Sequence, residues 1–165
     1  MAKDKGKGKT AEKTNAMRRL DALKIQYKEH TYTDTDAISG TEVAEVLGQD
    51  PERCFKTLVT VGRSGEHYVF MVPVARELDL KKAAKAAGDK SIELLPVKEL
   101  LATTGYIRGG CSPVGMKKKY PTFIDELCCL SDTIAVSAGE RGHQMLLPPE
   151  DLIALVDAKT ADLTV

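Results

Sequence analysis

The segment with the densest potential for chemistry is "RGGCSPVG", residues 108–115. Gly109 and Gly110 are adjacent, and a serine, a proline and a third glycine follow within five residues. Because glycine has no Cβ, the backbone N–H groups of such a loop can approach a ligand closely. Donors of this kind hold phosphates, or stabilise an oxyanion during acyl transfer. A tight turn with positive φ angles has the same composition, so both interpretations stand on this evidence.

A lysine interrupts the otherwise apolar and β-rich segment "CFKTLVTV", residues 54–61. Strand alternation puts Lys56 on the same face as Cys54 and Leu58. An ammonium group is unfavourable there unless it reaches water or an anionic partner. Lys56 is therefore either an edge-strand lysine that opposes aggregation or a lysine that binds an anionic ligand, and spacing alone favours the first.

Two further polar segments follow the first glycine loop in the sequence. "VSAGERG" (136–142) has Ser137 at the end of a predicted strand and is either a hairpin turn or a second wall of a pocket. Three lysines, Lys117, Lys118 and Lys119, directly follow the first glycine loop. Most lysine runs are simply solvated, but this run would also suit a ligand that carries phosphates.

Motifs for other catalytic chemistries are weak or missing. The three histidines share no metal-ligand spacing, and none of the four cysteines forms a C-x-x-C pair. Neither a nucleophile elbow nor a dinucleotide fingerprint is present. The cysteines are expected to be free and mostly buried thiols. A nucleophilic pair of Cys54 or Cys111 with a histidine stays open, since only folding could bring such partners together.

Length and charge restrict the class of protein. The chain has 165 residues, which fits one domain, and its 24 basic and 24 acidic residues give a net charge of zero. Neutrality argues against a protein that coats DNA or long RNA, although it allows one that grips the end of a single RNA. No apolar run approaches the roughly 20 residues that a membrane span requires. The basic N-terminus lacks the apolar segment of a secretory signal, so a cytosolic location is expected.

The periodicity of the sequence predicts a single α+β domain. Residues 1–13 read as a lysine-rich tail and residues 14–165 as the domain. Hairpin and helix patterns alternate without a regular βαβ rhythm, which indicates a mixed, largely antiparallel sheet. Ser39 and Glu42 have the spacing of a capping box before a short helix that ends at Gly48 and buries Val43, Val46 and Leu47. A first helix, 14–27, has an apolar stripe of Met17, Leu20 and Leu23. The other predicted helices cover 78–88, 96–105 and 148–158, and strands are predicted within 30–39, 54–61, 66–74, 91–95, 121–127, 132–139 and 143–147.

Four segments together resemble the YbaK family of aminoacyl-tRNA deacylases, the freestanding relatives of the editing domain of bacterial prolyl-tRNA synthetases. They are "FKTLVTV", "PVARELDLKKAAKAAG", "TGYIRGGCSPVGMKKKYPTFID" and "VSAGERG", and the resemblance runs from about Thr14 to Asp162. It implies one compact YbaK-like domain with a mixed, barrel-like β-sheet flanked by helices. It also implies proofreading of mischarged tRNA, foremost the removal of cysteine from tRNA(Pro), without a metal or an organic cofactor. The expected partners are the acceptor end of aminoacyl-tRNA and a prolyl-tRNA synthetase, not DNA or a membrane.

The resemblance also assigns roles to residues of this sequence. Gln144 stands where relatives specific for cysteine carry an aspartate, and Cys111 stands where relatives often have an aliphatic residue. The implied catalytic residues are Lys56, Gly109 and Gly110; the implied substrate-binding residues are Tyr32, Thr57, Ser112, Ser137 and Gln144; Lys117, Lys118 and Lys119 are expected to contact tRNA.

The implied mechanism needs no nucleophile from the protein. The thiol of the esterified cysteine attacks its own ester carbonyl, while the enzyme orients the two groups and stabilises the oxyanion through backbone N–H groups near Gly109 and Gly110. A Gly109→Val substitution is then expected to abolish deacylation with the fold mostly intact. Two alternatives stay open, an Ala-tRNA(Pro) deacylase that uses water and a binding module without catalysis.

Overall fold

The computed structural model describes residues 13–32 and 39–165. Nearly all of the predicted tail lies outside the described residues, as does the segment 33–38. No helix in the described part of the chain is both long and apolar enough to cross a membrane. The helices are α1 (Asn15–Ala22), α2 (Gly40–Val46), α3 (Leu80–Ala87), α4 (Val97–Thr104) and α5 (Pro149–Val156), with short 3-10 helices at Pro51–Arg53 and Glu126–Leu130. The strands are β1 (Lys28–Thr31), β2 (Phe55–Gly62), β3 (His67–Pro73), β4 (Ile92–Leu94), β5 (Thr122–Asp125), β6 (Ile134–Ser137), β7 (His143–Leu147) and β8 (Lys159–Ala161).

The strands form two sheets. β1, β7 and β6 make an antiparallel sheet in that order, and the second sheet has the order β4-β2-β3-β5-β8. β2 and β3 form the predicted hairpin, whereas β5 runs parallel to both β3 and β8. A bridge between Cys54 and Ala135 connects the two sheets. The α+β class and the mixed strand directions are confirmed, but the described strands form two bridged sheets and not one closed barrel.

A shared hydrophobic core fixes the two sheets relative to each other. Met17 and Leu20 of α1 pack with Met145 of β7, Met71 of β3 and Leu152 of α5, and all five side chains are at most 1% exposed. Burial of such side chains stabilises the fold by roughly 1.5–3 kcal/mol each. The core includes residues of β2 and β6, and therefore holds Lys56 and Thr57 of β2 in a fixed relation to Ser137 of β6.

Local capping explains most helix boundaries. Ser39 accepts a hydrogen bond from the Glu42 N–H at 3.2 Å, and the Glu42 side chain accepts one from the Ser39 N–H at 3.0 Å. The predicted capping box of α2 is thus confirmed. Asp79 caps α3 through the N–H groups of two lysines, and Gly88 ends that helix with a φ of 74°. Positive φ is accessible to glycine without steric conflict, which is why the helix ends there.

Three local predictions were wrong. α1 ends at Ala22 and not near Tyr27, because Lys24 adopts a φ of 59°, which a continuing helix cannot accommodate. Leu23 was predicted to belong to the apolar stripe of α1, but it is 53% exposed. In α2, Val46 is 50% exposed, whereas Ala44 is buried in its place. The last strand, β8, has no counterpart in the sequence prediction.

A carboxylate ties the β2–β3 turn to the segment after α3. Asp89 accepts hydrogen bonds from the hydroxyls of Ser64 at 2.5 Å and Tyr68 at 3.0 Å. These bonds, the Ser64 bond foremost, hold the pKa of Asp89 below its ordinary value of 3.8. The hairpin is thereby fastened at the end opposite to Lys56.

Candidate functional site

A cavity of about 930 Å³ opens where β2, β6 and the first glycine loop meet. Cavities of this size accommodate ligands of up to several hundred daltons. Of the predicted site residues, six line it: Tyr32, Lys56, Thr57, Gly109, Ser137 and Gln144. The fold thus brings residues that are far apart in the sequence together in the lining of one cavity.

Lys56 lies in the first half of β2, which pairs with a neighbouring strand on one side. β2 pairs with β3 over its length but with β4 only from Thr60 to Gly62. The Lys56 side chain is 30% exposed, and its Nζ is 4.0 Å from a carboxylate oxygen of Glu77, which is itself 84% exposed. Such an exposed pair contributes little to stability, about 0–1 kcal/mol. The ammonium group is therefore available to an anionic ligand in the cavity.

Thr57, the next residue of β2, has an unusual hydroxyl. Its Oγ1 is buried and has no hydrogen-bond partner among the described residues. Leaving a buried hydroxyl unsatisfied costs about 1–3 kcal/mol. Because Thr57 also lines the cavity, a polar ligand there would supply the missing partner.

The paired glycines of the first loop differ in their hydrogen bonding. The Gly110 N–H donates to the Ile107 carbonyl at 3.0 Å and closes a turn. The Gly109 N–H donates to no acceptor within residues 13–32 and 39–165. Of these two predicted oxyanion donors, Gly109 lines the cavity with its N–H uncommitted, whereas the Gly110 N–H is taken up by the turn; the catalytic roles of both glycines stay predictions.

The two glycine loops pack against each other. A Cβ on Gly110 would lie 2.9 Å from the backbone nitrogen of Arg141 and 3.1 Å from backbone atoms of Glu140. The Arg141 guanidinium donates to the Arg108 carbonyl at 3.1 Å. Of the second segment, Val136 and Ser137 line the same cavity, and the loop that follows them packs on the first glycine loop. Gly109 has a φ of 87°, so a valine there would add strain of about 1–2 kcal/mol, and the effect of Gly109→Val on the fold stays a prediction.

One row of side chains crosses the three-stranded sheet at the cavity. Gln144 of β7 is paired in register with His30 of β1 on one side and with Ser137 of β6 on the other. Side chains at paired positions point to the same face of a sheet. The Ser137 hydroxyl accepts from the Gly139 N–H at 3.1 Å and keeps its own proton to donate. Tyr32 reaches the second loop, since its N–H donates to the Gly142 carbonyl at 2.8 Å.

Gln49 is a residue of this region that sequence reasoning missed. Its side-chain amide exchanges two hydrogen bonds with that of Gln144, at 2.7 and 3.1 Å. It lies just after α2, 95 residues away from Gln144, and no motif distinguishes it. The one sequence signal for Gln49 is that it directly follows Gly48, the residue at which α2 was predicted to end.

The protein thiols near the cavity are poor nucleophiles. Burial raises the pKa of Cys54 to about 11 and that of Cys111 to about 12, so both stay protonated at neutral pH. His143 is bonded to Glu29 at 3.2 Å and to neither thiol. A Cys–His pair is therefore not formed in the described part of the chain. Nor do any three His, Cys, Asp or Glu side chains described here form a group that could hold a metal ion.

The remaining predicted residues lie outside the cavity lining. Ser112 is fully buried, and its hydroxyl accepts from the Val114 N–H at 3.2 Å, which stabilises the loop itself. The three consecutive lysines are exposed. The ammonium of Lys117 donates to the Ala102 carbonyl near the end of α4, and that of Lys119 lies 3.6 Å from Asp157. The cationic side chains that do line the cavity are Lys56 and Arg108.

Residues 35–155 match the profile of a protein family described as the aminoacyl-tRNA editing domain. The chain belongs to this family. It is 50% identical over 159 residues to an Enterococcus faecalis protein named "Putative Cys-tRNA(Pro)/Cys-tRNA(Cys) deacylase EbsC", a match that covers 96% of this chain and 97% of EbsC. It is also 32% identical over 102 residues to the proline–tRNA ligase of Shouchella clausii, where it covers only 18% of that enzyme.

Solved structures agree with this assignment. A crystal structure described as "a putative trans-editing enzyme for prolyl tRNA synthetase" superposes with a TM-score of 0.78 at 27% identity, over 93% of this chain and 99% of that one. A hypothetical protein of known structure superposes with a TM-score of 0.84 at 20% identity, over 92% and 100% of the two chains, which supports the fold. The resemblance drawn from the sequence motifs is confirmed as membership of the editing domain family.

Proposed function

We propose that this editing domain protein is an aminoacyl-tRNA deacylase that acts in trans on mischarged tRNA and removes cysteine from tRNA(Pro). One observation carries the proposal. The cavity offers a cation at Lys56 and donors at Thr57, Ser137 and the Gly109 N–H, yet both thiols that line it are protonated. A cavity built in this way binds and polarises an ester, and leaves the attack to the substrate or to water.

The substrate thiol performs the first step. A bond forms between the cysteine sulfur and the ester carbonyl carbon, and the bond from that carbon to the ribose oxygen breaks. The thiol proton ends on the ribose hydroxyl, so atoms and charge balance. Water then opens the small cyclic thioester. Because both reacting groups belong to one residue, correct orientation replaces the need for a protein nucleophile.

The chain contributes orientation and charge stabilisation. The Gly109 N–H faces the developing oxyanion, and one such donor is worth about 3 kcal/mol in the transition state. Lys56 binds the terminal nucleotide of the tRNA and fixes the ester beside β2. The Thr57 hydroxyl gains the hydrogen-bond partner that no described residue supplies.

The proposal also sets the partners and the place of action. The substrate is the acceptor end of aminoacyl-tRNA, bound in the cytoplasm where tRNA is charged. The net charge of zero gives the domain little general affinity for RNA, so a prolyl-tRNA synthetase supplies the tRNA discrimination.

The test measures the lifetimes of the esters in Cys-tRNA(Pro), Ala-tRNA(Pro) and Ser-tRNA with the wild type and Lys56→Ala. We expect rapid loss of the cysteine ester alone, and protection of that ester in the variant. Lys85→Ala, which removes an exposed lysine of α3, is the matched control and retains wild-type activity.

Each other outcome selects a different function. Loss of the alanine ester means that bound water is the nucleophile, because alanine has no side chain that could attack. Survival of every ester in the presence of the folded wild type overturns the proposal and leaves a module that binds aminoacyl-tRNA without cleaving it.

A further inference from the structure

The side-chain amides of Gln49 and Gln144 form a reciprocal pair that fixes the orientation of Gln144. Gln49 Nε2 donates to Gln144 Oε1 at 2.7 Å, and Gln144 Nε2 donates to Gln49 Oε1 at 3.1 Å. The two bonds close a ring in which neither amide can rotate by itself. Gln144 lines the cavity and is 7% exposed, whereas Gln49 stands behind it.

Two further neighbours determine which way round the Gln49 amide lies. The Cys54 thiol donates to Gln49 Oε1 at 3.2 Å, and His30 Nδ1 lies 3.2 Å from Gln49 Nε2. Burial raises the pKa of the Cys54 thiol and keeps it protonated at neutral pH, so its S–H is a donor and its matching partner on the amide is the carbonyl oxygen. The other side of the amide is then the NH2 group, and His30 Nδ1 is its acceptor.

The hydrogen-bonding capacity of Gln49 is thereby used up, but that of Gln144 is not. Gln49 uses both N–H groups and both lone pairs of its carbonyl on Gln144, His30 and Cys54. Gln144 uses one N–H and one lone pair on Gln49. Within residues 13–32 and 39–165, one N–H and one lone pair of Gln144 have no partner, and these are available to a ligand in the cavity.

We propose that Gln49 is a positioning residue that never touches substrate and acts by holding the Gln144 amide, so that Gln144 presents one donor and one acceptor to the aminoacyl end of the ester. The inference rests on the proposed function and names a further determinant of that same site. It assigns the recognition of the aminoacyl group to a neutral amide of fixed orientation.

The first test replaces the amide by a side chain of similar length without hydrogen bonds. We expect Gln49→Met to lower kcat/KM for Cys-tRNA(Pro) by about 2- to 12-fold, the net value of one neutral hydrogen bond. In a Gln144→Met background the same change has no further effect, because there is no amide left to orient. Gln26→Met, at an exposed glutamine, is the matched control.

The second test restores the ring chemically. In Gln49→Glu the ionised carboxylate accepts from Gln144 but cannot donate to it. The protonated carboxyl group donates and accepts as an amide does, and so re-forms the ring. The activity of this variant relative to the wild type should therefore rise as pH falls from about 8 to about 5, the range over which a partly buried carboxyl group takes up its proton. The titratable neighbours His30, Cys54 and Asp50 also interact with the new carboxyl group. The same ratio is therefore measured in the Gln144→Met background, where these neighbours remain but there is no amide to orient, and there it should not rise.

The outcomes separate the inference from the proposed function. A wild type that cleaves no ester refutes the function. If the wild type cleaves the cysteine ester, two results overturn the inference alone. One is a folded Gln49→Met variant with the activity of the wild type. The other is a Gln49→Met/Gln144→Met double variant whose loss of activity is the product of the two single losses. A ratio for Gln49→Glu that is independent of pH also overturns it, because a merely structural role would not respond to protonation of that one carboxyl group.

Discussion

Gly110→Ala tests whether the contact between the two glycine loops holds the site together. The new Cβ would lie 2.9 Å from Arg141 N and 3.1 Å from backbone atoms of Glu140, whereas ordinary contact begins at 3.4 Å. The loops must then separate by about 0.3–0.5 Å, and neither obstacle is a side chain that could rotate away. Forcing an extra methyl into such a contact destabilises proteins by about 1–3 kcal/mol.

The expected losses follow from this displacement. For a chain of this length, each kcal/mol lowers the melting temperature by about 2–4 °C, so we expect a decrease of about 2–12 °C. The shift moves Gly109 relative to Ser137 and Gln144, which line the same cavity. A displacement approaching 1 Å costs about 100-fold in rate, so a loss of up to about that size in kcat/KM for Cys-tRNA(Pro) is expected.

Gly65→Ala is the matched control for stability. Gly65 lies in the β2–β3 turn with a φ of 93°, and no atom lies within 4 Å of the position that a Cβ would take there. Its substitution adds backbone strain of about 1–2 kcal/mol without moving the loops, so stability falls and activity at 25 °C does not. A fully active Gly110→Ala, or an equal loss of activity in Gly65→Ala, would refute the argument.

Three further predictions follow from the described contacts. Ser39→Ala removes the capping box of α2 and should lower the free energy of unfolding by about 1 kcal/mol in urea titrations; an unchanged midpoint would contradict this. At pH 7.5 a disulfide reagent should label the exposed Cys129 rapidly and without loss of deacylation. Cys54 and Cys111 should react faster only as the pH rises towards their pKa values of about 11 and 12. Inactivation by the first equivalent of reagent would contradict this prediction. Asp89 has a folded-state pKa below 3.8, so its contribution to stability is present above pH 3.8 and is lost as the pH falls through the folded-state pKa. Asp89→Asn should therefore flatten the dependence of the free energy of unfolding on pH in this acid range. A curve identical to that of the wild type would exclude the effect.

Much of the fold could be predicted because its signals are local. The capping box at Ser39, the helix end at Gly88 and the β2–β3 hairpin each depend on residues a few positions apart. The predictions that failed, the end of α1 near Tyr27 and the burial of Val46, concern places where the periodic pattern continues but tertiary packing does not follow it. β8 was missed because a strand of three residues is specified by its pairing with β5 and not by its own pattern.

The sequence by itself determined the family and identified six residues of the cavity wall. Lys56, Gly109 and Ser137 were found because they sit in long motifs whose order along the chain is specific. Tertiary structure alone decided how each group is used. It committed the Gly110 N–H to a turn, left the Thr57 hydroxyl without a partner among the described residues and kept the three lysines out of the cavity. It also brought Gln49 to Gln144 across 95 residues, since hydrogen-bond partners and burial depend on distances that no sequence spacing encodes.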